Sequence, residues 1–153
     1  MIKNNQSGRS MIEMLGVLAI IGVLSVGGIA GYTKAMSKYK INKCLSQIAN
    51  IQMGIGTLYA QQKNYAGINC VNGSGDGCNV LKKAKIVPEE MWKNNKLVNP
   101  FGGNVSIQSV EYDGEADAAF SISYDGIPED AAIYFGMNKE NANDQNLMNI
   151  KLN

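Results

Sequence analysis

The chain has 153 residues, a formal net charge of +1 and no histidine. This length allows one ordinary domain, and a net charge near zero gives no bulk attraction for nucleic acid. Without histidine, a Ser-His-Asp triad, a Cys-His catalytic pair and a histidine-ligated zinc site are excluded. We therefore expect a protein that is not an enzyme, binds no nucleic acid and carries no metal or cofactor.

An apolar segment of twenty uncharged residues runs from Met14 to Thr33, after a short polar leader. As a helix with a rise of 1.5 Å per residue, it would be about 30 Å long, which is the thickness of a bilayer core. Its many small residues favour close packing between helices. Glu13 directly precedes the segment, so its charge costs less in a membrane than a charge at the bilayer centre would.

The stretch "SGRSMIE" places Gly8 at the end of the polar leader and Glu13 five residues after it. Together with the long apolar run, this pattern resembles the processing site of type IV prepilins and pseudopilins. The resemblance implies that a prepilin peptidase cuts after Gly8 and that Arg9 becomes the N-methylated mature N-terminus. It also implies that Glu13 attracts the N-terminal amine of a neighbouring subunit during assembly. Arg9 shares a helix face with Glu13, so it can also neutralise that carboxylate within one chain.

Two other interpretations of the N-terminus remain open. A secretory signal peptide, with Lys3 and Arg9 as its positive region, would be cleaved after Ala30 and release a secreted binding protein. A permanent signal anchor would leave the segment unprocessed. The positive-inside rule favours a cytoplasmic position for the lysines that follow the span, whereas the family resemblance places them outside: Lys34, Lys38, Lys40 and Lys43.

Beyond the span, apolar residues recur every three or four positions and predict that the helix continues to about Gln62. We expect this stripe to pack on a sheet, with Cys44 as a small buried hydrophobic residue, and we expect Lys43, Gln47 and Asn50 on the opposite face. The stripe comprises Ile41, Cys44, Leu45, Ile48, Ile51, Ile55, Leu58 and Tyr59.

Residues 63–87 are predicted to form a loop. Within it, Cys70 and Cys78 bracket the sequence "VNGSGDG". The export that the apolar segment indicates favours a disulfide between them, which would stabilise the fold by about 2–3 kcal/mol; two free thiols are the alternative. The stretch "GSGDG" lacks the lysine and the strand-to-helix setting of a phosphate-binding loop, so we predict a flexible loop.

The remaining sequence predicts a short helix, a small sheet and a second short helix. Pro88, Glu89 and Glu90 favour a helix start, and we expect Met91, Trp92 and Leu97 to face the core. The turn "NPFGGN" at 99–104 leads into alternating patterns typical of half-buried strands, "NVSIQSV", "AAFSISY" and "LMNIKL". The first two are expected to pair across "EYDGEAD", and "IPEDAAIYFGMN" predicts a helix beginning at Pro128.

The acidic cluster Asp113, Glu115 and Asp117 supplies oxygen atoms of the kind that calcium prefers. We interpret it instead as the polar turn of a hairpin. An anchored enzyme that uses Asp113 or Asp117 is a further functional class, which loss of an activity without loss of assembly would identify.

The order of elements resembles the type IVb branch of the pilins. We predict an α+β, pilin-like fold in which a long N-terminal helix, membrane-spanning in its first half, packs on a small antiparallel sheet. The predicted segments are a leader at 1–8, a membrane and filament-core helix at 9–33, and a globular domain at 34–153. That domain contains the helix at 34–62, the loop at 63–87 and a sheet region at 99–153.

The resemblance implies a structural subunit of a type IV pilus-like filament, with a minor pilin or a type II secretion pseudopilin as the alternative. The implied partners are prepilin peptidase, identical or related pilin subunits, and the assembly machinery of the bacterial inner membrane. The chain would span that membrane once before it joins an extracellular pilus or a periplasmic pseudopilus.

Overall fold

A computed structural model describes the backbone of residues 6–139 and the side chains of residues 10–135. It has the predicted α+β architecture, a long N-terminal helix with a small antiparallel sheet. In chain order the elements are α1 (Gln6–Leu58), β1 (Cys70–Val71), α2 (Asp76–Lys83), a 3₁₀ turn (Glu89–Met91), β2 (Trp92–Lys93), β3 (Lys96–Leu97), β4 (Val105–Tyr112), β5 (Glu115–Tyr124) and α3 (Glu129–Lys139). The chain divides into two compact units, Met1–Lys38 and Tyr39–Asn153.

Helix α1 is continuous through Gly27 and Gly28 and ends at Leu58, four residues before the predicted end. The chain then turns, and the amide of Gln62 donates to the carbonyl oxygen of Tyr59 at 2.9 Å. Glycines near this end lower the helix propensity. Gly54 is also required by packing, because an added Cβ would lie 2.7 Å from Cγ2 of Ile86.

The C-terminal half of α1 supplies the centre of the core. The predicted stripe is buried at Ile41, Cys44, Ile48, Ile51, Ile55 and Tyr59. Two positions differ from the prediction. Leu58, the last residue of the helix, is 37% exposed, whereas Gln47, expected on the solvent face, is only 4% exposed. Gln47 is buried because a later segment of the chain, around Glu90, covers it.

Burial makes the Cys44 thiol unreactive. Cys44 is fully buried and free, and burial raises its pKa to about 12. Because the thiolate is the reacting form, we expect iodoacetamide to leave the folded chain unmodified. Unfolding without a reductant should give one label per chain, measured by intact mass, and unfolding with a reductant should give three. A label on the folded chain would contradict this burial.

The three-stranded sheet has the order β1-β4-β5 and is antiparallel throughout. The predicted hairpin is confirmed, and β4 and β5 pair from Val105 opposite Tyr124 outward to the turn. Asp113 and Gly114 form this turn with φ of 53° and 81°, the left-handed conformations that a two-residue type I′ turn requires. On the inner face, Val105 and Ile107 are fully buried.

The turn at 99–104 is held by the buried side chain of Asn99, which is 3% exposed. Its Oδ1 accepts hydrogen bonds from the amides of Phe101 at 2.9 Å and Gly103 at 3.0 Å. Its Nδ2 donates to the carbonyl oxygen of Asp125 at 2.7 Å. A Cβ on Gly103 would overlap that carbonyl, so this turn packs backbone against backbone at the end of β5.

The region predicted as a loop at 63–87 contains β1 and α2. The glycine-rich stretch differs from the predicted flexible loop, because it packs closely on neighbouring backbone. A Cβ on Gly75 would overlap the carbonyl oxygen of Asn69, and one on Gly77 would overlap Ile68. The helix signal was present in the sequence, with Asp76 in the first turn of α2 and lysines in its last turn, an arrangement that suits the helix dipole.

The later predictions agree in kind with the structure. The short helix after Pro88 is a single 3₁₀ turn. Met91 and Leu97 are buried, and Trp92 is partly buried against the core. The second short helix is α3, which begins at Glu129, one residue after Pro128. The predicted final strand, "LMNIKL", lies outside the described residues.

Candidate functional site

The first half of α1 is an apolar helix that is exposed on every face. All side chains from Ser10 to Ala35 are exposed, and the helix is long and apolar enough to cross a membrane. A helix that is apolar all round is stable only when a membrane or other protein covers it. Its large exposed side chains are Met11, Ile12, Met14, Leu15, Val17, Leu18, Ile20, Ile21, Val23, Leu24, Val26, Ile29 and Tyr32.

Polar side chains within this segment bond to the helix itself. The hydroxyl of Ser25 donates to the carbonyl oxygen of Ile21 at 2.7 Å, and that of Thr33 donates to Ala30 at 3.0 Å. Such internal hydrogen bonds satisfy the hydroxyl donors, for which the hydrocarbon of a membrane offers no acceptor. The glycines leave open space, since a Cβ at Gly16, Gly22 or Gly28 would meet nothing within 4 Å. Small residues of this kind let a second helix approach closely.

The candidate processing and assembly residues lie at the start of α1. Gly8, Arg9 and Glu13 all belong to this helix, and the Glu13 side chain is exposed. The four-residue spacing of Arg9 and Glu13 places them on one helix face. This end of the chain therefore combines a carboxylate with an apolar surface that requires a partner.

The disulfide between Cys70 and Cys78 is present in the globular unit. The two Cα atoms are 4.7 Å apart, and both residues are buried. Cys70 belongs to β1 and Cys78 to α2, so the bond connects the sheet to a helix within the region predicted as a loop. Its role is structural, because it ties a short edge strand to the core.

A polar cluster connects α1 to the 3₁₀ turn. The Nζ of Lys43 lies 2.7 Å from Oε2 of Glu90, and Nε2 of Gln47 donates to Oε1 of Glu90 at 2.8 Å. The bond with Lys43 is the main cause that lowers the Glu90 pKa, and it also raises the pKa of Lys43. The spacing of Lys43 and Gln47 could have indicated a shared partner, but nothing in the sequence identified Glu90.

We expect that substitution of Glu90 with glutamine slightly reduces the loss of folding stability that occurs as pH falls. A carboxyl whose folded pKa is lowered contributes stability above its unfolded pKa, and that stability is lost as pH falls through the folded pKa. The effect is small because Lys43 and Glu90 are 32% and 47% exposed and solvent screens them. Thermal melts from pH 6 to pH 3 measure it, with Glu89→Gln as the neighbouring control. An equal loss of melting temperature between pH 6 and pH 3 in both variants would contradict a stabilising role of the Glu90 carboxylate.

The acidic cluster Asp113, Glu115 and Asp117 lies at the outer end of the β4–β5 hairpin. Among the side chains of residues 10–135, no group of three His, Cys, Asp or Glu is arranged to hold a metal ion. Asp113 lies in the turn itself, and the Asp117 carbonyl accepts a hydrogen bond from the amide of Tyr65 at 2.8 Å. These residues thus occupy a polar hairpin end, as the sequence indicated.

Most of this chain is similar in sequence to known proteins. A protein-family model described as Bundlin matches residues 33–152. Toxin coregulated pilin of Vibrio cholerae is 29% identical over 129 residues, which cover 83% of this chain and 55% of that pilin. The major structural subunit of bundle-forming pilus from Escherichia coli is 27% identical over 109 residues, which cover 70% of this chain and 52% of that subunit. The chain spans about half the length of the curated relatives it matches.

Proposed function

Because the chain belongs to the Bundlin family of type IVb pilins, we propose that it is a structural subunit of a type IV pilus-like filament. The observation that carries the proposal is the apolar first half of α1, exposed from Ser10 to Ala35. A bilayer covers such a helix before assembly, and parallel copies of the same helix cover it in a fibre. The relatives named above are structural subunits of pili, which favours a structural role over an enzymatic one.

The proposal includes a processing step. Prepilin peptidase cuts after Gly8 and leaves the helix attached, and Arg9 becomes the methylated first residue. Glu13 is then the fifth residue of the mature chain and guides docking in the growing filament. In this pathway the chain spans the inner membrane once and passes from there, through the assembly machinery, into a filament of identical or related subunits.

Analysis of the mature N-terminus tests this proposal directly. We expect mass spectrometry of the purified native chain to find a methylated Arg9 as the first residue, and electron microscopy to find fibres that contain the chain. A mature chain that begins at Gly31 would have lost the apolar helix and would instead support a secreted protein cleaved after Ala30.

Immunogold labelling distinguishes a major subunit from the alternatives. The Escherichia coli relative is a major structural subunit, so we expect label along the whole length of surface fibres. Label confined to fibre tips would indicate a minor pilin, and label confined to the periplasm would indicate a secretion pseudopilin.

A further inference from the structure

The outer end of the β4–β5 hairpin forms an arm, residues 110–117, that extends beyond the core. From Val110 to Ala116 every side chain is exposed, so both faces of the two-stranded ribbon are in solvent. Tyr112 is 67% exposed, whereas Val105 and Ile107 at the base of the same strand are fully buried. A two-stranded ribbon is only marginally stable by itself in water, and tyrosine is enriched in protein interfaces. The arm therefore has the properties of a surface that a partner covers.

The charges of the chain are separated along its sequence. Residues 97–138 contain seven acidic residues and no basic residue, whereas residues 34–96 contain ten lysines and three acidic residues. Four of the seven acids lie in the arm, at positions 111, 113, 115 and 117. A partner for the arm must therefore present positive charge. The C-terminal residues 140–153 contain two acidic residues and one lysine, so their charge does not complement the arm.

A surface with the complementary charge lies on the β2–β3 hairpin of the same unit. Lys93 and Lys96 are directly opposite each other across its two strands, and both are exposed. Like charges in opposite positions destabilise a strand pair, so an anionic partner relieves this repulsion. The Nζ of Lys82 lies 5.3 Å from the centre of the Trp92 ring and adds a third positive charge. We call Lys82, Lys93 and Lys96 the lysine hairpin surface.

We propose that the acidic arm of one subunit contacts the lysine hairpin surface of a second copy of this chain. The two surfaces are different parts of one chain, so each copy donates an arm to one neighbour and accepts an arm from another. Such a head-to-tail contact generates an open helical filament when its rotation does not close. This inference rests on the proposed function as a filament subunit, and it assigns a contact between globular units that the apolar helix does not provide.

Charge reversal tests the contact. The double substitution Lys93→Glu, Lys96→Glu is expected to reduce the amount of chain recovered in filaments sheared from the cells roughly tenfold. A tenfold loss corresponds to about 1.4 kcal/mol per contact. Glu111→Lys with Glu115→Lys should give a similar loss, and all four changes together should restore filaments. Lys38→Glu with Lys63→Glu is the matched control, because it makes the same charge change at exposed lysines outside the lysine hairpin surface and should leave the filament fraction unchanged.

Cross-linking tests whether the contact joins two copies. Cells that express Lys96→Cys and Glu115→Cys on separate chains should form disulfide-linked dimers of the two variants, and neither variant alone should form them. Cys44 is buried and the other native cysteines are bonded, so they do not compete.

The outcomes separate this inference from the proposed function. Normal filaments from both charge reversals, together with no mixed dimer, would overturn the contact and leave the pilin proposal intact. Normal filaments that fail only to adhere would also overturn it, because the arm would then face an external partner. If the wild-type chain formed no filament, the proposed function would fail. In that case the cross-linking of membrane-bound chains would still test the contact, and the absence of mixed dimers there would refute it.

Discussion

Replacement of Glu13 with alanine is expected to leave the chain in the membrane but to reduce assembled filament roughly tenfold or more. In the proposed assembly, the carboxylate meets the N-terminal amine of a neighbouring subunit among apolar helices. An ion pair is stronger there than in water, and a loss of about 1.4 kcal/mol already weakens association tenfold. Insertion should persist because the apolar run from Met14 to Thr33 is unchanged.

The measurement compares the chain retained in membranes with the chain in sheared filaments. Glu89→Ala is the matched control, because it removes an exposed carboxylate from the globular unit and should leave both fractions at the wild-type level. Filaments of normal yield and length from the Glu13 variant would refute the role assigned to this carboxylate. Loss of the chain from the membrane fraction would instead show that Glu13 acts during insertion.

Substitution of Cys70 with serine is expected to lower the free energy of unfolding of the globular unit by about 2–3 kcal/mol. The bond joins residues eight positions apart, and it restricts the unfolded chain in the chain-entropy account. It also holds the short strand β1 beside β4, where Cys70 pairs with Ile107. The proposed cleavage site after Gly8 lies in the other unit, so we expect removal of the leader to proceed as in the wild type.

Thermal or denaturant unfolding of the full chain in detergent measures this effect. Wild-type chain in dithiothreitol should shift by a similar amount, and the Cys70→Ser variant should show no further shift when the reductant is added. The double variant Cys70→Ser, Cys78→Ser controls for the thiol left free in the single variant. A melting temperature unchanged by both the substitution and the reductant would contradict a stabilising bond.

The elements that the sequence predicts correctly are those indicated by a pattern of residues within one short segment. The alternation around Val105 and Phe120 indicated the strands of the main hairpin, and the turn at Asp113-Gly114 has residues suited to positive φ. The apolar repeat from Ile41 to Ile55 likewise indicated the buried face of α1. Each signal depends on residues within one or two turns or strands, so no knowledge of distant segments was needed.

The features that differed from the prediction depend on segments far apart in the chain. The local pattern predicts Gln47 at the surface, but Glu90, 43 residues later in the chain, lies against it and accepts its hydrogen bond. Gly75 and Gly77 looked flexible, yet the backbone near Asn69 leaves no room for a Cβ. The helix α2 has a local signal in its terminal charges, but the disulfide that connects it to β1 forms only when the two segments meet.

An apolar helix of membrane length, preceded by a glycine, an arginine and a glutamate, is evident from the order of residues alone, because length, polarity and spacing are properties of the linear chain. The main hairpin and the absence of histidine chemistry follow from the order of residues as well. The tertiary structure, in contrast, fixes which polar residues are buried and how β1 and α2 pack. It also decided that an acidic arm and a pair of opposed lysines are exposed on one unit, because burial and strand register arise only when distant segments meet.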